Sequence, residues 1–275
     1  MPLADNLGDR MKQYEQCGIP QLMPLLPILI RVDGRAFHTF TKDLRRPFDA
    51  YLHMAMAATA ADLVSETNAL LAYTQSDEIS LLLYSEDPGT QVYFDGKWSK
   101  IVSVTAAVAT LKFIKHATEM LGAKRAAKEP MFDCRVWNVP NKVEVANYFL
   151  WREQDATRNS ISMAAQALYS HNELHGKDSR EMQEMMWQKG VNWNDYPPQQ
   201  KRGTYIQRKV ISTPFTADEL ASLPPKHHAH QNPSLAIERS KIQDVDLPIM
   251  SMISNRVEVI FNGAEPLRFS DVQAG

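Results

Sequence analysis

Cysteine is scarce: Cys17 and Cys134 are the only two in 275 residues, which excludes a disulfide framework and a cysteine-ligated zinc site and points to a reducing compartment. Long apolar runs are missing too. The stretch from Met23 to Val32 is interrupted by Pro24 and Pro27 and is too short to span a bilayer. The opening residues, MPLADNLGDRMKQYE, lack the basic-then-apolar order of a secretory signal. Neither sign of charge dominates: 30 basic against 32 acidic residues leave a net charge of −2, so any nucleic-acid binding must come from local basic patches. With 11 Gly and 16 Pro beside 44% hydrophobic residues, collagen-like, disordered and coiled-coil compositions are excluded. The expectation is a soluble, cytoplasmic globular protein of one large or two modest domains, with no membrane partner.

What is present alternates strand and helix. Residues 4–16 predict a polar first helix ending before Gly18 and Pro20, and Ile28 to Val32 predict a buried strand closed by Asp33-Gly34. Phe48 to Glu66, rich in Ala, Met and Leu and free of Gly and Pro, predicts a helix. Ala69 to Thr74 and Ile79 to Tyr84 flank Gln75-Ser76-Asp77-Glu78 as a hairpin would. A helix from Ser99 to Leu121, stopped by Gly122, and a strand from Met131 to Val136 complete a unit ending near residue 140. Beyond it, Lys142 to Ser170 predicts two helices broken at Arg158-Asn159-Ser160, and Ser179 to Gln188 a third. Thr204 to Val210 and Val257 to Phe261 read as strands in a Pro-punctuated remainder, with the last dozen residues loose.

The order strand, helix, strand, strand carries geometry. A strand-helix-strand unit makes its two strands parallel, and the second hairpin strand can insert antiparallel between them, as in a ferredoxin-like half. The end of the first strand and the hairpin turn then share one edge of the sheet, which makes neighbours of Asp33 and Asp77. Two carboxylates there, with the Gly34 carbonyl, suit hard divalent cations that stabilise an in-line phosphoryl displacement. The residues alone equally allow both aspartates to be turn formers.

Basic residues follow. Arg35, His38, Lys42, Arg45 and Arg46 lie just after Asp33 and could hold a triphosphate, or form a solvated loop. Lys97, Lys100, Lys112 and Lys115 make a second group, and Lys201-Arg202 with Arg208-Lys209 a third. Asp95-Gly96-Lys97-Trp98 lacks the upstream glycine of a phosphate-binding loop, and His171 with His175 lacks the intervening pattern of a zinc protease. The tract His227-His228-Ala229-His230 has no further ligand in view.

Four segments, R-V-D-G-R-A-F-H (31–38), Y-T-Q-S-D-E-I-S (73–80), F-D-C-R-V (132–136) and W-R-E-Q-D-A-T-R-N-S (151–160), resemble the tRNA(His) guanylyltransferase family, above all its bacterial and archaeal 3′-to-5′ RNA polymerases that repair tRNA 5′ ends. The resemblance implies an α+β fold: a ferredoxin-like polymerase or cyclase palm, an antiparallel sheet with flanking helices, over residues 1–140. Residues 141–275 would form a mainly helical region with a basic-glycine strand element and a Pro-rich tail. It also implies two Mg2+ ions held by Asp33, Gly34 and Asp77, the two aspartates being catalytic. Nucleotide would meet the backbone amides of Arg35, Ala36, Phe37 and His38, with Arg46, Ser76, Asp155 and Asn159 around it. Lys97 and Lys100 would serve 5′-end activation, and Lys201 and Arg202, before Gly203, RNA phosphates.

The implied reaction is nucleotide addition to the 5′ end of tRNA or tRNA-like RNA, with ATP, GTP or other nucleoside triphosphates as substrates. The 5′ end is activated by ATP or is already a triphosphate. The implied assembly is a homotetramer. Where eukaryotic members carry His-Ile-Asn-Asn, this chain has Thr157-Arg158-Asn159-Ser160, which favours templated repair over non-templated guanosine addition. Two other readings stand beside it: a palm-fold nucleotide cyclase or oligonucleotide synthase, and a non-catalytic RNA-binding protein. Paired carboxylates argue against the last, since they weaken RNA binding.

Overall fold

The computed structural model describes residues 7–18, 20–232 and 234–272; residues 4–6 of the expected first helix and 273–275 of the expected loose tail lie outside them. In chain order the elements are α1 (Leu7–Gln16), β1 (Ile28–Arg35), α2 (Phe37–Thr41), α3 (Ala50–Thr67), β2 (Leu71–Gln75), β3 (Glu78–Leu83), α4 (Trp98–Leu121), α5 (Ala123–Ala126), β4 (Met131–Asn138) and α6 (Lys142–Gln166). There follow α7 (His171–Leu174), α8 (Ser179–Gln188), α9 (Pro198–Arg202), β5 (Thr204–Pro214), α10 (Ala217–Ser222), β6 (Ala236–Val245), α11 (Arg256–Asn262) and α12 (Phe269–Val272).

Local chemistry sets several of these boundaries. Asp49 caps α3 by accepting from Tyr51 N and Leu52 N, and Asn68 ends it in the left-handed region. Asn141 caps α6 through Glu144 N at 2.9 Å. Along β1, Ile28, Ile30 and Val32 pack on one side with α3 and α4, while Leu29 packs on the other with α6 and α11, the two-residue alternation of a strand buried on both faces. Burying each such side chain contributes about 1.5–3 kcal/mol. The sheet is thereby fixed between two helical layers.

The six strands run in the order β4-β1-β3-β2-β5-β6, every neighbouring pair antiparallel. β3 lies between β1 and β2, so those two are parallel, as the strand-helix-strand order requires. The expected antiparallel sheet with flanking helices is present. The sheet also continues across residue 140, because β5 joins β2 through Leu71↔Gln207 to Thr74↔Thr204, and β6 extends β5.

Three local expectations are corrected. α6 runs unbroken through Arg158-Asn159-Ser160: Ser160 Oγ donates to Thr157 O at 2.9 Å and Lys201 O at 3.0 Å, so its polar group is satisfied inside the helix. Val257 to Phe261 is helical within α11, since Gly263 supplies a left-handed C-cap and Val259 and Ile260 are buried under Gln207 Nε2, which donates to both their carbonyls. β6 was not anticipated, because its polar residues mask the alternation of a ribbon packed on one partner strand.

Candidate active site

The ladder brings the two aspartates to one rim. Asp33, near the end of β1, stands opposite Glu78 of β3 and Asp133 of β4. The tight β2–β3 turn places Ser76 at φ 50°, and Gly34 N donates to Asp77 O at 3.0 Å, tying that turn to the end of β1. Burial pushes the Asp77 carboxyl above the usual Asp range. Its own backbone amide lowers it, the Asp33 charge raises it again, and the Ser76 hydroxyl lowers it. A cation at this rim would relieve both burial and repulsion. No group of three or more His, Cys, Asp or Glu side chains among the described residues is disposed to hold a metal; the two carboxylates and a backbone carbonyl are hard oxygen donors, the kind that suits magnesium.

Gly34 is required by space. A Cβ there would lie 2.4 Å from Phe37 Cδ2. Phe37 is buried, its ring centroid 5.2 Å from that of Phe40, 5.3 Å from Phe113 and 5.0 Å from Phe132. Phe37 therefore offers the site only its backbone, while Arg35, Ala36 and His38 are exposed. Ala36 takes the left-handed conformation (φ 53°, ψ 34°) and no side chain caps α2, which leaves amides at the start of that helix turned to solvent or ligand.

Beside the rim is a cleft of about 380 Å³ between the α2–α3 loop, the β2–β3 turn, α6 and α9. His38, Arg46 and Ser76 line it, together with Ser160, Gln199 and Gly203. Gly203 (φ 79°) could not carry a side chain, since a Cβ would sit 2.6 Å from Thr74 O. Tyr73 OH donates to Arg202 O at 2.6 Å, so the basic-glycine element is docked by its backbone onto the hairpin.

Comparison with known proteins gives this geometry its context. The family model for tRNA(His) guanylyltransferase matches residues 8–140. The Schizosaccharomyces pombe tRNA(His) guanylyltransferase is 30% identical over 223 residues, covering 76% of this chain and 83% of that protein. A solved bacterial tRNA(His) guanylyltransferase-like protein in complex with ATP is 43% identical with a TM-score of 0.69, over 74% of this chain and 88% of that one. This chain belongs to the tRNA(His) guanylyltransferase family. It is a nucleotidyltransferase. A second bacterial family structure, in complex with GTP, is 35% identical with a TM-score of 0.67 and covers 90% of this chain and 94% of its own.

Not every residue expected from the family motifs reaches the cleft. Asp155 is held by Arg152 Nη1 at 3.2 Å and Arg158 Nη2 at 3.0 Å, and Asn159 Nδ2 donates to it at 3.4 Å. Lys201 Nζ donates to Asn194 O at 2.7 Å and lies 5.1 Å over Trp193; burial, then the Arg202 charge, lowers its pKa. Lys97 and Lys100 are exposed at the start of α4, where Trp98 Nε1 donates to Val136 O. Val136 pairs with Ile30, three rungs from the Asp33 pair and so on the order of 10 Å along the strand.

The sequence reading missed a group inside the motifs it quoted. Arg152 forms two 2.7 Å bonds to the Glu78 carboxylate, with side chains only 6% and 8% exposed. Burial raises the Glu78 pKa, opposed by Arg152. Glu153, also buried, accepts from Tyr205 OH at 3.2 Å and Met250 N at 2.8 Å. Arg31 and Arg135 stand directly opposite one another two rungs from the rim. These charged side chains stand 52 or more positions from the groups they meet, and only the tertiary structure brings them together. His53, donor or acceptor to Thr204 Oγ1 at 3.0 Å, lines the cleft; burial lowers its pKa and Asp244 opposes this.

Proposed function

We propose that this protein adds nucleotides to the 5′ end of tRNA or tRNA-like RNA, in the 3′-to-5′ direction, from nucleoside triphosphates. The observation that carries the reading is the convergence of Asp33, Gly34 and Asp77 at one edge of the sheet, next to a cleft lined by His38, Arg46 and Ser76. The bacterial family structures solved with ATP and GTP support triphosphates as the class of ligand.

In this reading the rim carboxylates and the Gly34 carbonyl would hold two magnesium ions, which when bound would supply electrostatic stabilisation to the phosphoryl transfer. Asp77 ionises against burial and the Asp33 charge. The amides from Arg35 to His38 take the triphosphate, and Arg46 offers a guanidinium to its outer phosphates. The 3′-hydroxyl of the bound nucleotide attacks the activated 5′ phosphorus of the RNA, and the bond to adenylate or pyrophosphate breaks. No protein nucleophile is needed; the residues orient two phosphates and answer their charge. Asp155 and Asn159 act by ordering α6 beside the cleft, and Lys201 and Arg202 meet RNA phosphate. Lys97 and Lys100 serve the activation step. The sheet around the rim is a polymerase-type palm whose body is β1 to β4 with their helices, β5 and β6 extend it, the helices from α6 onward supply the remainder, and the working form is a cytoplasmic homotetramer.

The test is incorporation of each labelled nucleoside triphosphate, supplied separately, into 5′-truncated tRNAs bearing a monophosphate or a triphosphate. Addition at the 5′ end, dependent on ATP only for the monophosphate, is expected. A cyclic or oligomeric product from nucleotide alone would instead support a cyclase or synthase.

A further inference from the structure

Trp151 is 47% exposed although it sits among packed aromatic rings. Its ring centroid is 5.9 Å from that of Tyr148, which is 5.6 Å from that of Trp137 on β4. The Arg152 guanidinium lies 4.5 Å from the indole centroid. That same guanidinium is bound by Glu78, the residue after Asp77 and the register partner of Asp33. The indole is therefore fixed two contacts from the carboxylate rim, with part of its surface open.

Its direction on α6 is informative. At about 100° per residue, the cleft-lining Ala156, Ser160 and Met163 point roughly 120° to 180° away from Trp151, and only Gln166, at the far end of α6 about four turns on, points within about 60° of it. Trp151 instead lies on the side of Tyr148 and Trp137, toward β1 and β4. An in-line displacement sets the attacking 3′-hydroxyl opposite the leaving AMP or pyrophosphate, so the RNA strand departs from its 5′ phosphorus to the side of that line and needs a surface outside the nucleotide cleft. The cleft lies on one side of α6, and the exposed indole, a surface on which nucleobases stack, on the other.

We propose that Trp151 is the stacking platform for the 5′-terminal nucleobase of the RNA, so that RNA and nucleoside triphosphate reach Asp33 and Asp77 from opposite sides of α6. This rests on the 5′-addition reading above. Trp151 is a positioning residue: it touches the base and leaves the phosphate chemistry to the rim.

The experiment is a cycle crossing Trp151→Ala with an RNA whose 5′-terminal nucleotide is abasic, measured as RNA affinity and as separate KM values for RNA and nucleotide. In the parent protein, loss of the base weakens RNA binding roughly five- to a hundredfold. In Trp151→Ala, intact and abasic RNA bind alike within about twofold, while the nucleotide KM holds; Trp151→Phe keeps most of the discrimination. Equal discrimination in parent and Trp151→Ala, or a change confined to the nucleotide KM, overturns the inference. A parent protein that adds nucleotide to no RNA overturns the proposed function; one that adds nucleotide with no coupling in the cycle overturns only the stacking role.

Discussion

Gly34→Ala is a sharp perturbation because its effect follows from one distance. The added methyl would lie 2.4 Å from Phe37 Cδ2, where carbon pairs rest at about 3.5–4.0 Å. The ring must retreat by about 1 Å, and Phe40, Phe113 and Phe132 occupy the space behind it. Gly34 does not have a left-handed φ, so the backbone itself tolerates alanine and the cost is overpacking, about 1–3 kcal/mol. For a chain of this size that is a fall in melting temperature of roughly 2–12 °C. Because Phe37 begins α2, the same shift moves the amides offered to the triphosphate and raises the nucleotide KM. Thermal melts of Gly34→Ala, Phe37→Leu and the double variant measure the effect, with the alanine penalty falling by at least about half in the leucine background. A single variant that melts with the parent, or a penalty unchanged by Phe37→Leu, would refute the steric account.

Other consequences are equally specific. Glu78→Ala removes the two-bonded partner of a buried guanidinium, leaving it only Asp155, and should cost up to roughly 3–5 kcal/mol in denaturant unfolding, whereas Glu78→Leu with Arg152→Met should recover much of it; equal losses in both would show that the ion pair is not the cause. Asp77 has a folded pKa above its ordinary value, so its contribution to stability is present in acid and lost as pH rises through that folded pKa. Asp77→Asn should therefore melt above the parent at neutral pH without divalent cation, and the gap should close as the pH is lowered past the Asp77 pKa. A gap independent of pH contradicts this. Arg46→Ala should raise the nucleotide KM with a smaller effect on kcat; an unaltered KM would remove Arg46 from the site. Cys134, 8% exposed and with its thiol pushed up to about 12 by burial and the Asp133 charge, should resist alkylation in the folded protein while Cys17, which is exposed, reacts.

Much of the rim was legible because it depends on local order. A strand ending in Asp33-Gly34, a helix and a hairpin turned by Ser76-Asp77 leave few ways to connect, and β3 inserts between β1 and β2, the arrangement that order allows. The pairing of Glu78 with Arg152 was not legible, since a charge in a motif does not name a partner 74 positions away. The β-branched run 257–261 misled for a physical reason: local preference favours a strand, and packing on Gln207 with the Gly263 cap makes it a helix. Arg158-Asn159-Ser160 misled in the opposite sense, because contacts to Thr157 O and Lys201 O satisfy Ser160 within α6. No helix among the described residues is long and apolar enough to cross a membrane.

The central claim is that Asp33 and Asp77 together make nucleotide addition possible. It is tested most directly by single-turnover addition of a labelled nucleoside triphosphate to a 5′-triphosphorylated RNA, a substrate that bypasses activation, in the parent, Asp33→Asn and Asp77→Asn proteins. Addition is expected in the parent and lost in each variant, with a cooperative melting transition no lower than the parent's and most of the RNA affinity retained. Unchanged addition in either variant would contradict it.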